Sequence, residues 1–327
     1  MVKTFSLDEM KRMAKAIFLK ALTAVDPYRI LKDRIRIEKD RLLIRIEENL
    51  EKNFDLNMFE NIFLVGTGKA STSMAQAIEE ILGDRLTKGV ITTKYGHLLP
   101  LKKIEIVEAG HPIPDPKGYE GAKKIQNLLQ ESGPRDLVIF LLSGGGSALL
   151  PFPAYGIELK EKQEVTQLLL DCGADIKEIN TIRKHISRIK GGGLAKWAYP
   201  SFVIGFILSD VVGDQLEVIG SGPTVPDPST FEEAWETLKK YDLLNEIAPS
   251  IQRISCLEKK GKSKRHPSLE RLSSKRFITA SSGRTFLPSI QPKKRLPLLV
   301  SILSSSLPPL KARQERPLDF MLRLQKK

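Results

Sequence analysis

Apolar runs and amphipathic stretches alternate along most of the first 255 residues. NIFLVG (Asn61 to Gly66), GVITTK (Gly89 to Lys94), KIEIVEA (Lys103 to Ala109), VIFLL (Val138 to Leu142) and SFVIGFILSD (Ser201 to Asp210) read as strands. Helical periodicity lies between them: Met74, Ile78, Ile81 and Leu82 follow the first run, and Gly118 to Glu131, Lys160 to Leu170 and Ile176 to Ile189 follow later ones. At the amino end Ser6 and Glu9 form a capping-box pattern. Leu7, Met10, Ala14, Ile17, Phe18, Ala21 and Val25 then share one stripe, so a long first helix is predicted, stopped by Asp26-Pro27. Strands alternating with helices predict an α/β fold, a mostly parallel sheet with helices on both faces, with ligands outside the carboxyl ends of its strands.

Composition changes this picture mainly after Ser255. The chain has 327 residues and a formal net charge of +13. Of its 52 Lys and Arg, 18 fall from Cys256 onward, with only 4 of the 39 Asp and Glu. The body is therefore nearly neutral and the tail basic. That tail is rich in proline and serine and keeps little periodicity, which predicts a poorly structured segment over 256–327 beside a folded domain over 1–255. Two distant cysteines, Cys172 and Cys256, match no metal or disulfide spacing, and a reducing cytoplasm is expected. LPLLVSIL, Leu296 to Leu303, is too short to cross a bilayer, and no apolar leader opens the chain, so no membrane segment is predicted.

The candidate chemistry sits after three of the predicted strands. VIFLL breaks into Ser143, Gly144, Gly145, Gly146 and Ser147, where glycine lets backbone amides approach an anion; an empty strand-to-helix turn would use the same residues. GTGKAS, Gly66 to Ser71, puts Gly66, Gly68 and Lys69 at a helix start, where a lysine adds charge for a phosphate. It is neither a Walker A loop nor a full GxGxxG. ILSDVVGD ends a strand in Asp210, a carboxylate placed to bind magnesium or take a proton from a hydroxyl, or else to cap the next segment. In NTIRKHISRIKGGG, Arg183, Lys184 and Arg188 flank an isoleucine stripe, either as a clamp for an anion or as a solvated face. His111, in GHPIPDP, reads as a loop histidine.

In order and spacing these segments resemble the glycerate 2-kinase family, whose chains join a Rossmann-like domain to a second domain named MOFRL. The residues carrying the likeness are LVGTGKAS (Leu64 to Ser71), TTKYGH (Thr92 to His97), EAGHPIPD (Glu108 to Asp115) and LLSGGGSALLP (Leu141 to Pro151). With them stand INTIRKHISRIKGG (Ile179 to Gly192), LSDVVGD and SGPTVPDPSTF (Leu208 to Phe231). The resemblance implies ATP- and magnesium-dependent phosphorylation of the 2-hydroxyl of D-glycerate to 2-phosphoglycerate in a cleft between the two domains. It implies Lys69 and Asp210 as catalytic residues, with Asp210 on magnesium or serving as base. The Ser143 to Ser147 turn would cradle an anion, and Arg183, Lys184 and Arg188 would meet the glycerate carboxylate.

Past Ser255 the resemblance fades. KRFITASSGRTFL and ILSSSL look like degraded pieces of the second domain, and a frameshift near residue 255 would explain the lost periodicity and the sudden basic charge together. On that reading the chain as written is impaired as a kinase, with an exposed domain-facing surface that favours aggregation or a homodimer. A sugar-phosphate binding or isomerase module is the alternative, because VGTGKAS before a helix also resembles a sugar-isomerase phosphate loop. The basic tail has no reader motif, so no specific nucleic acid is expected as partner.

Overall fold

The computed structural model describes residues 5–47 and 49–253, together with the backbone of 277–280 and 298–303. Its centre is a sheet in which five parallel strands lie side by side: β4 (Asn61–Thr67), β5 (Lys88–Lys94), β6 (Ile104–Ala109), β7 (Asp136–Leu142) and β8 (Phe202–Leu208). Two antiparallel strands, β9 (Phe277–Ala280) and β10 (Leu298–Leu303), extend it to the spatial order β6-β5-β4-β7-β8-β10-β9. They fall within 256–327, where the sequence predicts little order, and the late apolar run supplies the longer one. The rest of that segment lies outside the described residues.

Alternation along each parallel strand divides the core. Leu64, Ile139, Leu141, Ile204 and Phe206 face one way, onto α3 (Ser71–Leu82) and a layer not predicted from the sequence. That layer is α2 (Pro27–Arg34) with a small antiparallel sheet of β1 (Ile35–Glu38), β2 (Arg41–Glu47) and β3 (Leu50–Asp55). Val65, Val138, Phe140, Val203 and Ile207 face the other way, onto α4 (Pro116–Glu131) and α8 (Gly193–Ala198). Both faces are covered, so the strands read as continuous apolar runs. A third cluster joins α6 (Leu159–Asp171), α7 (Ile176–His185) and α9 (Phe231–Lys240). The first helix, α1 (Leu7–Ala24), forms with its Ser6 and Glu9 capping box in place, yet none of its residues is buried.

The strand order fixes where a ligand belongs. From β4 the chain moves outward to β5 and β6, then returns to place β7 on β4's other side. The loops after β4 and β7 therefore diverge at a topological switch point, the crevice in which open parallel sheets bind ligands. Those loops carry GTGKAS and SGGGS. Helix α7 ends at His185, four residues before the predicted limit, so Arg188 and Lys190 lie on the following loop.

Candidate active site

The two glycine turns are tied together by their own backbones. Ser143 N donates to Thr67 O at 3.1 Å, Lys69 N to Gly144 O at 2.9 Å, and Ala70 N to the Ser143 hydroxyl at 3.0 Å. Ser71 N is used by Gly68 O. The amides of Lys69, Ala70 and Ser71 are thus satisfied by protein, whereas those of Thr72 and Ser73 in the first turn of α3 meet no acceptor among the described residues. The SGGGS turn also leaves amides open. Gly146 N donates to Ser143 O, whereas the half-exposed amides of Gly144 and Gly145 meet no acceptor among the described residues. Short α5 (Gly146–Leu149) begins directly behind them.

Three side chains close on these two glycines. A Cβ at Gly144 would stand 2.5 Å from Asp210 Oδ2, and one at Gly145 would stand 2.9 Å from His111 Nε2 and 3.4 Å from Lys69 Cε. Asp210 arrives from the end of β8, Lys69 from the turn after β4, and His111 from the loop after β6. Asp210 and Lys69 are exposed to solvent and His111 is half-buried. The sequence reading gave His111 no function, because nothing near it in the chain identifies its neighbours. Its loop is held by Asp115, which caps α4 through Gly118 N at 2.8 Å and accepts from the Tyr95 hydroxyl at 2.7 Å. Burial, then the charges of Lys69 and Lys94, hold the imidazole below its usual pKa and favour its neutral form.

The other end of the SGGGS turn meets a second set of groups. Lys190 Nζ donates to the Ser147 carbonyl at 2.9 Å and to its hydroxyl at 2.8 Å. Ser147 Oγ lies 3.2 Å from Ser221 Oγ, which donates to Asn180 Oδ1 at 3.3 Å. Main-chain bonds from Gly191 to Ser221 and from Gly192 to Gly222 join the SRIKGGG and SGPTVPDP segments, bringing Lys190 and Ser221 to one place. Lys190 also escaped the sequence reading of the site: it sits among five basic residues that look alike in one dimension.

Of the predicted clamp, Lys184 is already engaged. Its ammonium lies 2.5 Å from Asp227 Oδ1, with both side chains buried. Burial alone would raise the Asp227 carboxyl, but hydrogen bonds from Lys184 and Ser229 outweigh it and hold the group below its usual range. Arg188 lays its guanidinium 3.7 Å from the Tyr155 ring centre and 4.6 Å from that of Phe152, packing against an aromatic cluster. Arg183, by contrast, is half-buried at the end of α7, close enough to Lys162 to lower that lysine's pKa. No group of three or more His, Cys, Asp or Glu able to hold a metal occurs among the described residues, and no described helix is long and apolar enough to cross a membrane.

Comparison with known proteins places this geometry in context. Residues 13–255 match a family model described as a domain of unknown function (DUF4147). The glycerate 2-kinase of Pyrococcus horikoshii is 44% identical over 232 residues, 71% of this chain and 50% of the relative. The D-glycerate 2-kinase of Thermotoga maritima is 42% identical over 255 residues, 78% and 56% of the two chains. A crystal structure of a Pyrococcus horikoshii protein superposes with a TM-score of 0.71 at 40% identity, covering 81% of this chain and 57% of that one. The chain spans about half the length of the curated relatives it matches.

Proposed function

The chain belongs to the family described as a domain of unknown function (DUF4147), and from that membership we propose that its switch-point site serves a glycerate 2-kinase reaction. ATP would phosphorylate the 2-hydroxyl of D-glycerate, giving 2-phosphoglycerate and ADP. The reading is supported by the glycerate kinase names of its relatives. The observation that carries it is the convergence of Lys69, His111 and Asp210 on Gly144 and Gly145, whose amides meet no acceptor among the described residues.

Phosphoryl transfer asks a protein for positioning and for neutralisation of charge on the moving group. The Gly144 and Gly145 amides would hold phosphate oxygens, and Lys69 would bring a cation to the same place. Neutral His111 has an N–H to donate to a phosphoryl oxygen without adding charge. Asp210 would accept the proton of the 2-hydroxyl as that oxygen bonds to the γ-phosphorus and the bond to the ADP oxygen breaks. Magnesium commonly takes one or two carboxylates together with substrate phosphates. The exposed Asp210 carboxylate beside the amide cradle fits that donor set, and would hold the ion in place of serving as the base, the two roles being alternatives for one carboxylate. When bound, magnesium would neutralise phosphate charge.

The test is incubation of the chain with D-glycerate, ATP and magnesium, with products resolved by phosphorus NMR. Weak formation of 2-phosphoglycerate, as expected of a chain that spans about half the length of its relatives, and its disappearance in Lys69→Ala and Asp210→Ala are the expected results. Transfer that survives both substitutions removes these residues from the reaction. Tight phosphosugar binding with no ATP-dependent product would favour the isomerase-type reading instead.

A further inference from the structure

We propose that α1 is a dimerisation element, whose apolar face pairs antiparallel, about a two-fold axis, with α1 of a second copy of this chain. The helix is 18 residues long, opens with its own capping box and buries none of its residues. Leu7, Met10, Met13, Ile17, Phe18 and Leu22 fall on one half of it, each 47% to 68% exposed. Helices in proteins owe most of their stability to packing such a face, and in a single copy this one stays open to water. Only Val25 and Asp26 separate α1 from α2, where Ile30 and Leu31 are buried, so the core fixes one end of the helix. The pairing stands apart from the reaction at the switch point, and a failed phosphoryl-transfer assay would leave it intact.

The open face is large enough to hold a partner. Its six large side chains expose on the order of 600 Å² of apolar surface, against about 800 Å² that each side of a standard interface buries with its polar rim included. Contiguous apolar patches of that size mark interaction surfaces. Ala14 and Ala21 lie on the same stripe, and their small side chains let a second helix approach closely while Met10, Ile17 and Phe18 pack around the contact.

Charge selects the occupant and its direction. Asp8 and Glu9 stand in the first turn, and every charged residue of the helix after them is basic: Lys11, Arg12, Lys15 and Lys20. Glu9 and Lys20 lie on the same border of the apolar stripe, about three turns apart. In an antiparallel two-fold pair each Glu9 therefore meets Lys20 of the other copy, and Ala14 falls beside the axis. A parallel pair would set Glu9 against Glu9 and Lys20 against Lys20. An anionic lipid surface would attract the lysines but meet Asp8 and Glu9 as well. A second copy read in the opposite direction satisfies both ends. Exposed ion pairs add little affinity, so the apolar face supplies the attraction and the charges set the orientation.

Analytical ultracentrifugation of the full chain tests this, with thermal unfolding checking that every variant is folded. A reversible dimer is expected at chain concentrations up to about 100 μM. Ile17→Glu should weaken it about a hundredfold or more, because two-fold symmetry then buries an unpaired carboxylate twice. Lys20→Glu should weaken it about tenfold by opposing Glu9, and Glu9→Gln added to Lys20→Glu should recover most of that loss, since glutamine keeps the capping box. Direction is read by oxidative cross-linking with Cys172 and Cys256 replaced by serine. Ala14→Cys should give a covalent dimer, whereas Leu7→Cys should not, its two copies lying roughly 20 Å apart in the antiparallel pair. A chain that stays monomeric over the whole range, a dimer that Ile17→Glu or Lys20→Glu leaves unchanged, or cross-linking through Leu7→Cys overturns the proposal. So does a monomer that sediments with phosphatidylserine vesicles, which would give the face to lipid.

Discussion

Asp210 Oδ2 rests against the bare Cα of Gly144, so close that a methyl group there would lie 2.5 Å from it. Glycine at this position is required by a neighbouring carboxylate rather than by its own backbone angle. Gly144→Ala should push Asp210 out of position while leaving the core intact. A misplacement of about 1 Å can cost on the order of 10²-fold in rate. On the proposed kinase reading, the expected outcome is such a loss of whatever D-glycerate phosphorylation the chain supports, with a nearly unchanged melting temperature; an unchanged rate would detach Asp210 from the chemistry.

Gly68 and Ser143 are constrained differently. Gly68 has φ +127°, and an added Cβ would also lie 2.6 Å from the Ser143 carbonyl oxygen. Gly68→Ala should lower stability by at least about 1–3 kcal/mol from backbone strain alone. Ser143→Ala removes the acceptor for Ala70 N and should cost about 1 kcal/mol. Urea denaturation of the two variants measures both, and equal stabilities would contradict this ordering.

His111 reports on the charge beside it. Burial comes first among the causes of its lowered pKa, then Lys69 and Lys94. Lys69→Met should raise the His111 pKa, read by proton NMR titration of the imidazole. The sign for stability follows from a folded pKa below the unfolded value of about 6.5. The contribution is complete above that pH and is lost as pH falls through the lowered value. An unmoved titration in Lys69→Met would separate the two residues.

Asp227 and Lys184 form the buried ion pair that ties the SGPTVPDP loop to α7. Asp227→Asn would leave a buried ammonium without its counter-charge, an expected loss of about 3–5 kcal/mol. Its folded carboxyl titrates below the ordinary range, so the stabilisation is present above that range and disappears as pH falls through the lowered pKa. Acid unfolding followed by circular dichroism should therefore move to higher pH in any variant that loses the pair. Lys184→Met with Asp227→Asn should recover part of the loss.

Much of this molecule was legible in one dimension. The five parallel strands appear as apolar runs because both of their faces are buried, and the glycine turns after β4 and β7 announce where amides approach one another. The capping box of α1 is a local hydrogen-bond pattern, so it too is readable from four residues. The layer of β1 to β3 was not seen, because its strands are short and only β2 is deeply buried.

Tertiary structure decided which charges are free to act. Arg183, Lys184, Arg188 and Lys190 are near neighbours in sequence and alike in chemistry. Their roles diverge through partners far along the chain: Asp227 for Lys184, aromatic rings for Arg188 and Ser147 for Lys190. His111 reached the site by the same route, carried to Gly145 by the return of the chain across the switch point. Periodicity and glycine record what a residue does to its own backbone and to the core. Electrostatic function depends on which side chains end up within a few ångströms, and strand order sets that.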